Sequence, residues 1–280
     1  QNSAWTGLFF LLGIFWGAYA ARMPAVAWGA VVGVIVGTAS AYMLRAPRAD
    51  INIGLHGYNG ILVGCALPSF FDPTLVMWVL VAAGAFFSTV IMMAVSRFMK
   101  TWKVSAMTGP FVFTTWFIML AAYNFAHFKI AGLPHPVMPA QPGMAEVTAL
   151  GVGGFWTATF TGVSQVFLIN NVITGILFLI GLAGSAIPAA VFAWCGSVAA
   201  IGTAMFLGAD TRDIVDGLFQ FSAVLTAIGL GTTFYKPKSG RVVLYALLGT
   251  IFTVVAQGAL NVLLSPFGIP TLTFPFVIAA

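Results

Sequence analysis

Long apolar runs follow one another along almost the whole chain, separated by short breaks that contain charges, proline or glycine. Each run approaches the roughly 20 apolar residues that an α-helix needs to cross the hydrocarbon core of a membrane. The pattern predicts ten transmembrane helices, five in each half, and so an all-α polytopic membrane protein. The predicted spans are 4–21, 24–44, 53–71, 74–96, 104–126, 172–188, 189–208, 217–235, 242–264 and 267–280.

One further apolar stretch, residues 147–168, lies outside this set of ten. It is rich in glycine and threonine, a composition that favours a re-entrant segment buried in protein over a helix that faces lipid. Before it, the stretch from Lys129 to Gly143 contains four prolines and indicates a linker between the two halves.

The composition limits the class of protein. Only 6% of the residues are charged and 60% are hydrophobic, whereas soluble domains carry about a quarter charged residues. This excludes a cytosolic enzyme, a disordered regulator and a nucleic-acid binder, so no nucleic acid is expected among the partners. The two cysteines, Cys65 and Cys195, lie in apolar stretches without the spacing of a disulfide scaffold or a zinc site. We therefore predict no metal and no cofactor.

The two halves resemble each other in sequence at three places. The matched segments are 6–13 with 174–181, 50–62 with 213–225, and 108–112 with 273–277. Their offsets of 168, 163 and 165 differ only by small changes in loop length. Three matches in the same order predict an internal duplication, with a first membrane repeat in residues 1–140 and a second in residues 141–280.

The positive charges of the loops predict how the repeats are oriented. If 147–168 does not cross the membrane, eight basic residues fall on one side and three on the other. The eight are Arg45, Arg48, Arg97, Lys100, Lys103, Lys236, Lys238 and Arg241, and the three are Arg22, Lys129 and Arg212. Because each half has an odd number of spans, the second repeat is then inverted, and both termini are expected in the cytoplasm.

No acidic or basic side chain is predicted at membrane depth, since the aspartates all fall near the ends of spans. Pumps coupled to protons or sodium generally keep a buried ionisable group. The sequence therefore favours passive movement of an uncharged solute. His56 and His127 lie near spans, but a lone histidine at a helix end is more typical of an interfacial hydrogen bond than of a relay.

Two threonines occupy equivalent positions in the repeats. Thr108 and Thr273 each stand two residues before a proline. Proline has no backbone donor and disturbs a helix, which leaves carbonyl groups in need of partners. A single threonine in a span usually bonds back to its own helix, and that alternative stays open. The duplication nevertheless makes both threonines candidates for a polar pathway.

Several strings resemble the motifs of one known family, the urea transporters. Gly54–Gly64, with the sequence GLHGYNGILVG, resembles the family signature, and a weaker copy follows Gly217. Gly162–Leu168, followed by two asparagines, resembles the pore segment that precedes the first helix of a repeat. Thr108–Phe111 and Thr273–Phe276 resemble the last motif of each half. The resemblance covers the whole chain in the family's order.

The resemblance implies a homotrimer in a lipid bilayer, with a urea pore in each subunit and two re-entrant pore helices. It implies that Gln165 is the amide-oxygen acceptor, with Leu168 in its apolar wall. The other residues it assigns to the pore are Tyr58 and Leu62 in the first repeat, Phe221 and Leu225 in the second, and Thr108 and Thr273 at the centre.

The resemblance is incomplete in two places. The first repeat's own pore helix is expected to precede Gln1. In addition, Gln220 and Ser222 stand where the first repeat has Gly57 and Asn59.

The expected function is passive, channel-type transport of urea across the inner membrane by a multi-pass protein that is not an enzyme. A channel for another small neutral solute, such as a short amide, ammonia or water, is the alternative. A membrane enzyme or sensor would need a converging catalytic or metal-binding cluster, and the sequence offers none.

Overall fold

A computed structural model describes residues 3–102, 104–139, 145–235 and 239–280. Over these residues the protein is all-helical, and its one β-type contact is an isolated bridge between Phe71 and Ile130. Lys103, Lys236 and Lys238 of the charge count lie outside the described residues, as do Gln1, the boundary at 140–141 and the end of the linker at Gly143.

Six α-helices lie in the described residues of the first half. They are α1 Ala4–Ala20, α2 Pro24–Met43, α3 Arg48–Asn52, α4 Leu55–Phe70, α5 Leu75–Met99 and α6 Gly109–Ala122. Local sequence explains several of the boundaries. Pro24 begins α2, because its missing N–H costs nothing at the first helical position. Thr74 caps α5 by accepting a hydrogen bond from the Met77 N–H at 3.3 Å.

In the second half, the residues from 145 to 235 and from 239 to 280 form seven α-helices. They are α7 Val152–Ser164, α8 Val172–Ser185, α9 Ile187–Phe206, α10 Thr211–Val215, α11 Phe221–Ile228, α12 Gly240–Leu264 and α13 Phe274–Ala279. A π-helical turn, Gly229–Thr233, continues α11. Short 3₁₀ turns follow three helices, at Lys100–Trp102, Gln165–Phe167 and Ser265–Phe267.

The order of helices in α1–α6 recurs in α8–α13, including a five-residue helix at the third place and a 25-residue helix at the fifth. The left-handed backbone positions recur as well. Arg45 and Gly208 are paired at an offset of 163, Gly54 and Gly217 at 163, and Met107 and Leu272 at 165. All six have positive φ. The order of elements and these backbone positions therefore recur at offsets that match those of the sequence segments.

Within the part of the chain that the structure describes, four helical segments are long and apolar enough to cross a membrane by themselves: Pro24–Met43, Leu75–Trp102, Ile187–Phe206 and Gly240–Phe267. The Gly/Thr-rich stretch forms α7, which is bent by 74° against α8. Such a bent pair is a broken span or a re-entrant loop. The predicted spans 104–126 and 267–280 yield shorter helices, because the Thr-x-Pro segments delay the start of α6 to Gly109 and of α13 to Phe274.

The helices form two compact units. The first unit consists mainly of Ala18–Pro136, and the second of Trp5–Gly17, Val137–Pro266 and Pro270–Ala280. In the first unit α2 packs directly on α4. A Cβ atom added to Gly33 would meet the Gly60 carbonyl, and one added to Gly60 would meet that of Gly33. The glycines therefore let the two backbones touch.

In the second unit, most of α1 packs against α8. The Thr6 hydroxyl donates to the Gly181 carbonyl at 2.9 Å, and the Thr174 hydroxyl donates to the Gly13 carbonyl at 2.8 Å. An aromatic group packs beside these bonds, with ring centroids 4.7–5.5 Å apart. It consists of the buried Phe167 and Phe178 and the half-buried Phe10. This packing fixes the apolar side of the bend between α7 and α8.

Candidate functional site

The bend between α7 and α8 is built by local hydrogen bonds. After α7, the 3₁₀ turn ends at Leu168, whose left-handed φ of 59° reverses the chain. The Ser164 hydroxyl accepts from the Asn171 N–H at 3.3 Å and so closes the turn from inside. The Asn171 side chain then caps α8 by accepting from the Thr174 N–H at 3.0 Å. The turn is therefore fixed at both ends.

Gln165 lies at the apex of this turn and is half-buried. Its Nε2 donates to the Asp216 carbonyl oxygen at 2.9 Å. Because an amide oxygen would repel that carbonyl, the bond fixes the orientation of the amide and directs Oε1 elsewhere. No donor from the described part of the chain reaches Oε1. The bond from Nε2 to Asp216 therefore holds the Gln165 side chain in place, with Oε1 as the acceptor.

The end of α10 provides the anchor for Gln165 and carries several charges. The Asp216 carboxylate accepts from the Asn170 amide at 2.8 Å and lies 4.0 Å from the Arg212 guanidinium. Burial, together with the nearby Asp210 and Asp216 carboxylates, raises the pKa of Asp213. Backbone N–H groups of Arg212 and Glu146 hold the pKa of Asp210 below its usual value. The pKa values of these two neighbouring aspartates are therefore shifted in opposite directions.

The predicted apolar walls lie on α4 in the first unit and on α11 in the second. Leu62 is completely buried and Phe221 nearly so, whereas Tyr58 and Leu225 are half-buried. Leu168, in the left-handed turn, is also half-buried. Tyr58, Leu225 and Leu168 thus retain accessible surface within their own units, and Leu62 is surrounded by other side chains.

Thr108 and Thr273 occupy the same local structure. Each is the residue before a helix with proline in its first turn, and each is only 2% exposed. Their backbone angles nearly coincide, with φ/ψ of −99°/7° at Thr108 and −87°/19° at Thr273. Each follows a left-handed residue, Met107 or Leu272. Both threonines therefore stand directly before their helices and not within them.

Comparison with known proteins gives this geometry its context. The sequence model of the urea transporter family matches residues 1–280, the entire chain. The chain belongs to the urea transporter family. Proteins of this family are transporters rather than enzymes.

Three mammalian proteins named urea transporter 1 are similar to the chain. The one from Ovis aries is 25% identical over 284 residues, which cover 98% of this chain and 70% of that protein. The one from Mus musculus is 27% identical over 279 residues, with the same two shares of 98% and 70%. The one from Rattus norvegicus is 28% identical over 253 residues, covering 89% of this chain and 65% of the relative.

Each unit of this urea transporter family member assembles its own set of predicted residues. The first unit holds Tyr58, Leu62 and Thr108, and the second unit holds the others. Those in the second unit are Gln165, Leu168, Phe221, Leu225 and Thr273. Their roles in substrate binding remain predictions.

Sequence reasoning assigned no role to two buried amides. These are Asn59 and Gln257, and both bond to the chain next to a predicted pore threonine. A fully buried amide in an apolar helix was the available signal, because such a group needs partners from another segment.

Proposed function

We propose that this chain is a passive channel for urea, in which the solute crosses the bilayer down its concentration gradient. The observation that carries the proposal is the Gln165 amide, oriented by the Asp216 carbonyl at 2.9 Å and placed at the apex of a bent helix pair in a urea transporter family member. Urea transport is also what the names of the mammalian relatives state for those proteins.

The chemistry of urea suits these groups. Urea is flat and uncharged, with N–H donors along its edges and one carbonyl acceptor. The Gln165 Oε1 and the hydroxyls of Thr108 and Thr273 would replace water at the donors. Leaving a buried donor without a partner costs about 1–3 kcal/mol, so each acceptor would lower the barrier to the solute. Tyr58 with Leu62, and Phe221 with Leu225 and Leu168, would accept the faces of the molecule and exclude hydrated ions.

The distribution of charge supports uncoupled transport. Among the described helices longer than five residues, the acidic and basic side chains are Arg97 in the last turn of α5 and Arg241 in the first turn of α12. Neither lies mid-helix, where a proton or sodium site would be expected. We therefore propose that no ion gradient drives the solute.

The proposed architecture has two inverted five-helix repeats, residues 1–140 and 141–280, and ten crossings in total. The recurrence of α1–α6 in α8–α13 supports a repeat, and the bent pair α7 and α8 supports a re-entrant pore helix. The remaining parts of the proposal are a homotrimer, the inner membrane as location and cytoplasmic termini.

Stopped-flow measurement on proteoliposomes tests the proposal. Urea flux should exceed that of empty liposomes and of liposomes with heat-inactivated protein. It should not change when a proton or sodium gradient is imposed. Accumulation of urea above the bath concentration under either gradient would contradict a passive channel. Faster flux of formamide, ammonia or water than of urea would indicate a channel for another small neutral solute.

A further inference from the structure

Asn59 ties α4 to the turn that carries Thr108. Its side chain is completely buried. Nδ2 donates to the Met107 carbonyl at 3.1 Å and to the Leu55 carbonyl at 3.2 Å, and Oδ1 accepts from the Phe111 N–H at 3.0 Å. One amide thus holds the chain on both sides of Thr108, across a sequence separation of 48–52 residues.

The equivalent residue in the second repeat cannot make these bonds. Ser222 is also completely buried, but its Oγ has no hydrogen-bond partner within the described chain. The amide comes instead from α12. Gln257, which is 2% exposed, donates through Nε2 to the Thr271 hydroxyl at 2.7 Å and to the Asn261 Oδ1 at 2.9 Å. Thr271 stands two residues before Thr273, so this bond also fixes the turn next to the threonine.

The first repeat lacks the groups that perform this task in the second. At the offset of 165, Met92 is equivalent to Gln257 and Ala106 is equivalent to Thr271. Met92 and Ala106 are both buried and cannot form the bond. The two repeats therefore hold the same turn with buried amides that come from different helices, α4 in one and α12 in the other.

The turn requires such support because of its backbone. Met107 and Leu272 have φ of 47° and 49°, a left-handed conformation that is unfavourable for a residue with a Cβ atom. A conformation of this kind persists only where surrounding contacts determine it, and such positions cluster at functional sites. A change in this φ would rotate the following threonine away from its place at the start of the helix.

We propose that Asn59 and Gln257 are positioning residues for transport: they hold the left-handed turns and so set the direction of the Thr108 and Thr273 hydroxyls toward the solute. The inference rests on the proposed function. The amides themselves do not touch the solute. They determine selectivity among small amides through the geometry of the turns, so their loss alters selectivity as well as total flux.

The test exchanges, between the two repeats, the side chains that support the turn. Asn59→Ser copies the second repeat into the first and removes the bonds from the amide to Met107 and Phe111. It should lower the ratio of urea to formamide flux about fivefold, the factor expected when the net contribution of hydrogen bonds that order a site is lost. Gln257→Met copies the first repeat into the second and should lower the ratio similarly. The triple variant Asn59→Ser, Met92→Gln, Ala106→Thr transfers the complete bond and should restore at least half of the lost selectivity.

Thr89→Val is the matched control, because the Thr89 hydroxyl is fully buried in the same unit but bonds the Gly37 and Ala85 carbonyls, away from the turn. It should change the melting temperature without changing the flux ratio. Unchanged ratios in both single variants would overturn the inference, as would a triple variant with wild-type melting temperature and no restored selectivity. If the triple variant does not fold, the ratio of urea to formamide flux in Gln257→Met decides whether the inference holds. Failure of the proposed function is distinct, because wild-type protein would then show no urea flux.

Discussion

The helix pair α2 and α4 in the first unit and its counterpart, α9 and α11 in the second, occupy equivalent places in the two repeats but pack differently. The first pair meets at glycines on both sides, with Gly33 against Gly60. In the second pair Gly196 meets the Cβ of Ala227, so one side of the contact is an alanine. The helix α4 is continuous to Phe70, whereas α11 ends at Ile228 and gives way to the π-helical turn.

The hydrogen bonds of buried polar side chains also differ between the two units. In the second unit, the Thr253 hydroxyl donates to the Thr226 hydroxyl at 2.9 Å between α12 and α11. The equivalent residues in the first half are Ser88, which bonds within its own helix at 2.8 Å, and the apolar Val63. The two halves therefore share backbone turns, including the left-handed positions, but support them with different side chains.

The largest expected effect is on the glycine contact of the first unit. Gly60→Ala would push a Cβ atom against the Gly33 carbonyl, which is backbone and cannot move aside. Such overpacking should lower the free energy of unfolding by about 1–3 kcal/mol or prevent folding. Unfolding in detergent measures the loss.

Two controls define this effect. The reverse change at the matched position of the second unit, Ala223→Gly, should cost only about 1 kcal/mol, because it lowers helix propensity without introducing a clash. Gly258→Ala in α12, where a Cβ meets nothing within 4 Å, should be neutral or stabilising. If Gly60→Ala and Gly258→Ala lowered the free energy of unfolding equally, the close contact between α2 and α4 would not be what makes Gly60 necessary.

The next effect concerns Gln165, whose amide has two separable functions. Gln165→Leu removes the acceptor Oε1 and the bond to the Asp216 carbonyl, and should lower urea flux about tenfold while costing about 1 kcal/mol in stability. Gln165→Met, of similar length, should behave in the same way. If both variants lose stability by several kcal/mol and flux falls only with folding, Gln165 is solely an anchor for the turn. Normal flux with normal stability would place the pore on another segment.

A smaller effect is expected from the paired threonines. Thr108→Val and Thr273→Val are nearly isosteric, and each removes one hydroxyl whose bond is worth about 1 kcal/mol. Each single variant should lower urea flux several-fold, and the double variant should lower it further. A larger effect at one threonine would show which repeat dominates the barrier. Full flux in the double variant would assign both hydroxyls to holding the turns.

The smallest effect is in the pH dependence of stability beside α10. Because the pKa of Asp213 is raised above 3.8, the fold favours its protonated form. The stability that this preference contributes is lost as pH rises through the folded pKa. Asp213→Asn should therefore flatten the decline of melting temperature above pH 4. Asp210 has a lowered pKa, so it stabilises above the unfolded pKa and loses this contribution as pH falls. Asp210→Asn should flatten the acid limb instead. The same change of slope in both variants would contradict these assignments.

The sequence predicted the long helices well, because an apolar run of the right length decides where they lie. It missed α3 and α10, since five residues are too few to establish a helical period. It placed the starts of α6 and α13 five to seven residues early, because the turns before them are as apolar as the helices. The π-helical turn after α11 gave no sequence signal.

Sequence motifs selected the candidate site residues, whose roles stay predictions, but they could not predict the contacts of those residues. The motifs identified Gln165 and the two threonines, yet the bond from Gln165 to Asp216 joins residues 51 apart. The Asn59 bond to Met107 joins residues 48 apart. Such contacts depend on how the helices pack, and no local pattern of residue types records them.

The position of α1 in the second unit has a consequence for synthesis. Two hydrogen bonds join α1 to α8. The Thr174 hydroxyl donates to the Gly13 carbonyl across 161 residues, and the Thr6 hydroxyl donates to the Gly181 carbonyl across 175 residues. At a translation rate of about 5–20 residues per second, roughly 8–35 s pass between the appearance of α1 and that of α8. During this interval the newly made α1 has to remain in the bilayer without its native neighbour. Nascent chains halted before Thr174 should therefore expose α1 to crosslinking by insertion factors, and chains halted beyond α8 should not.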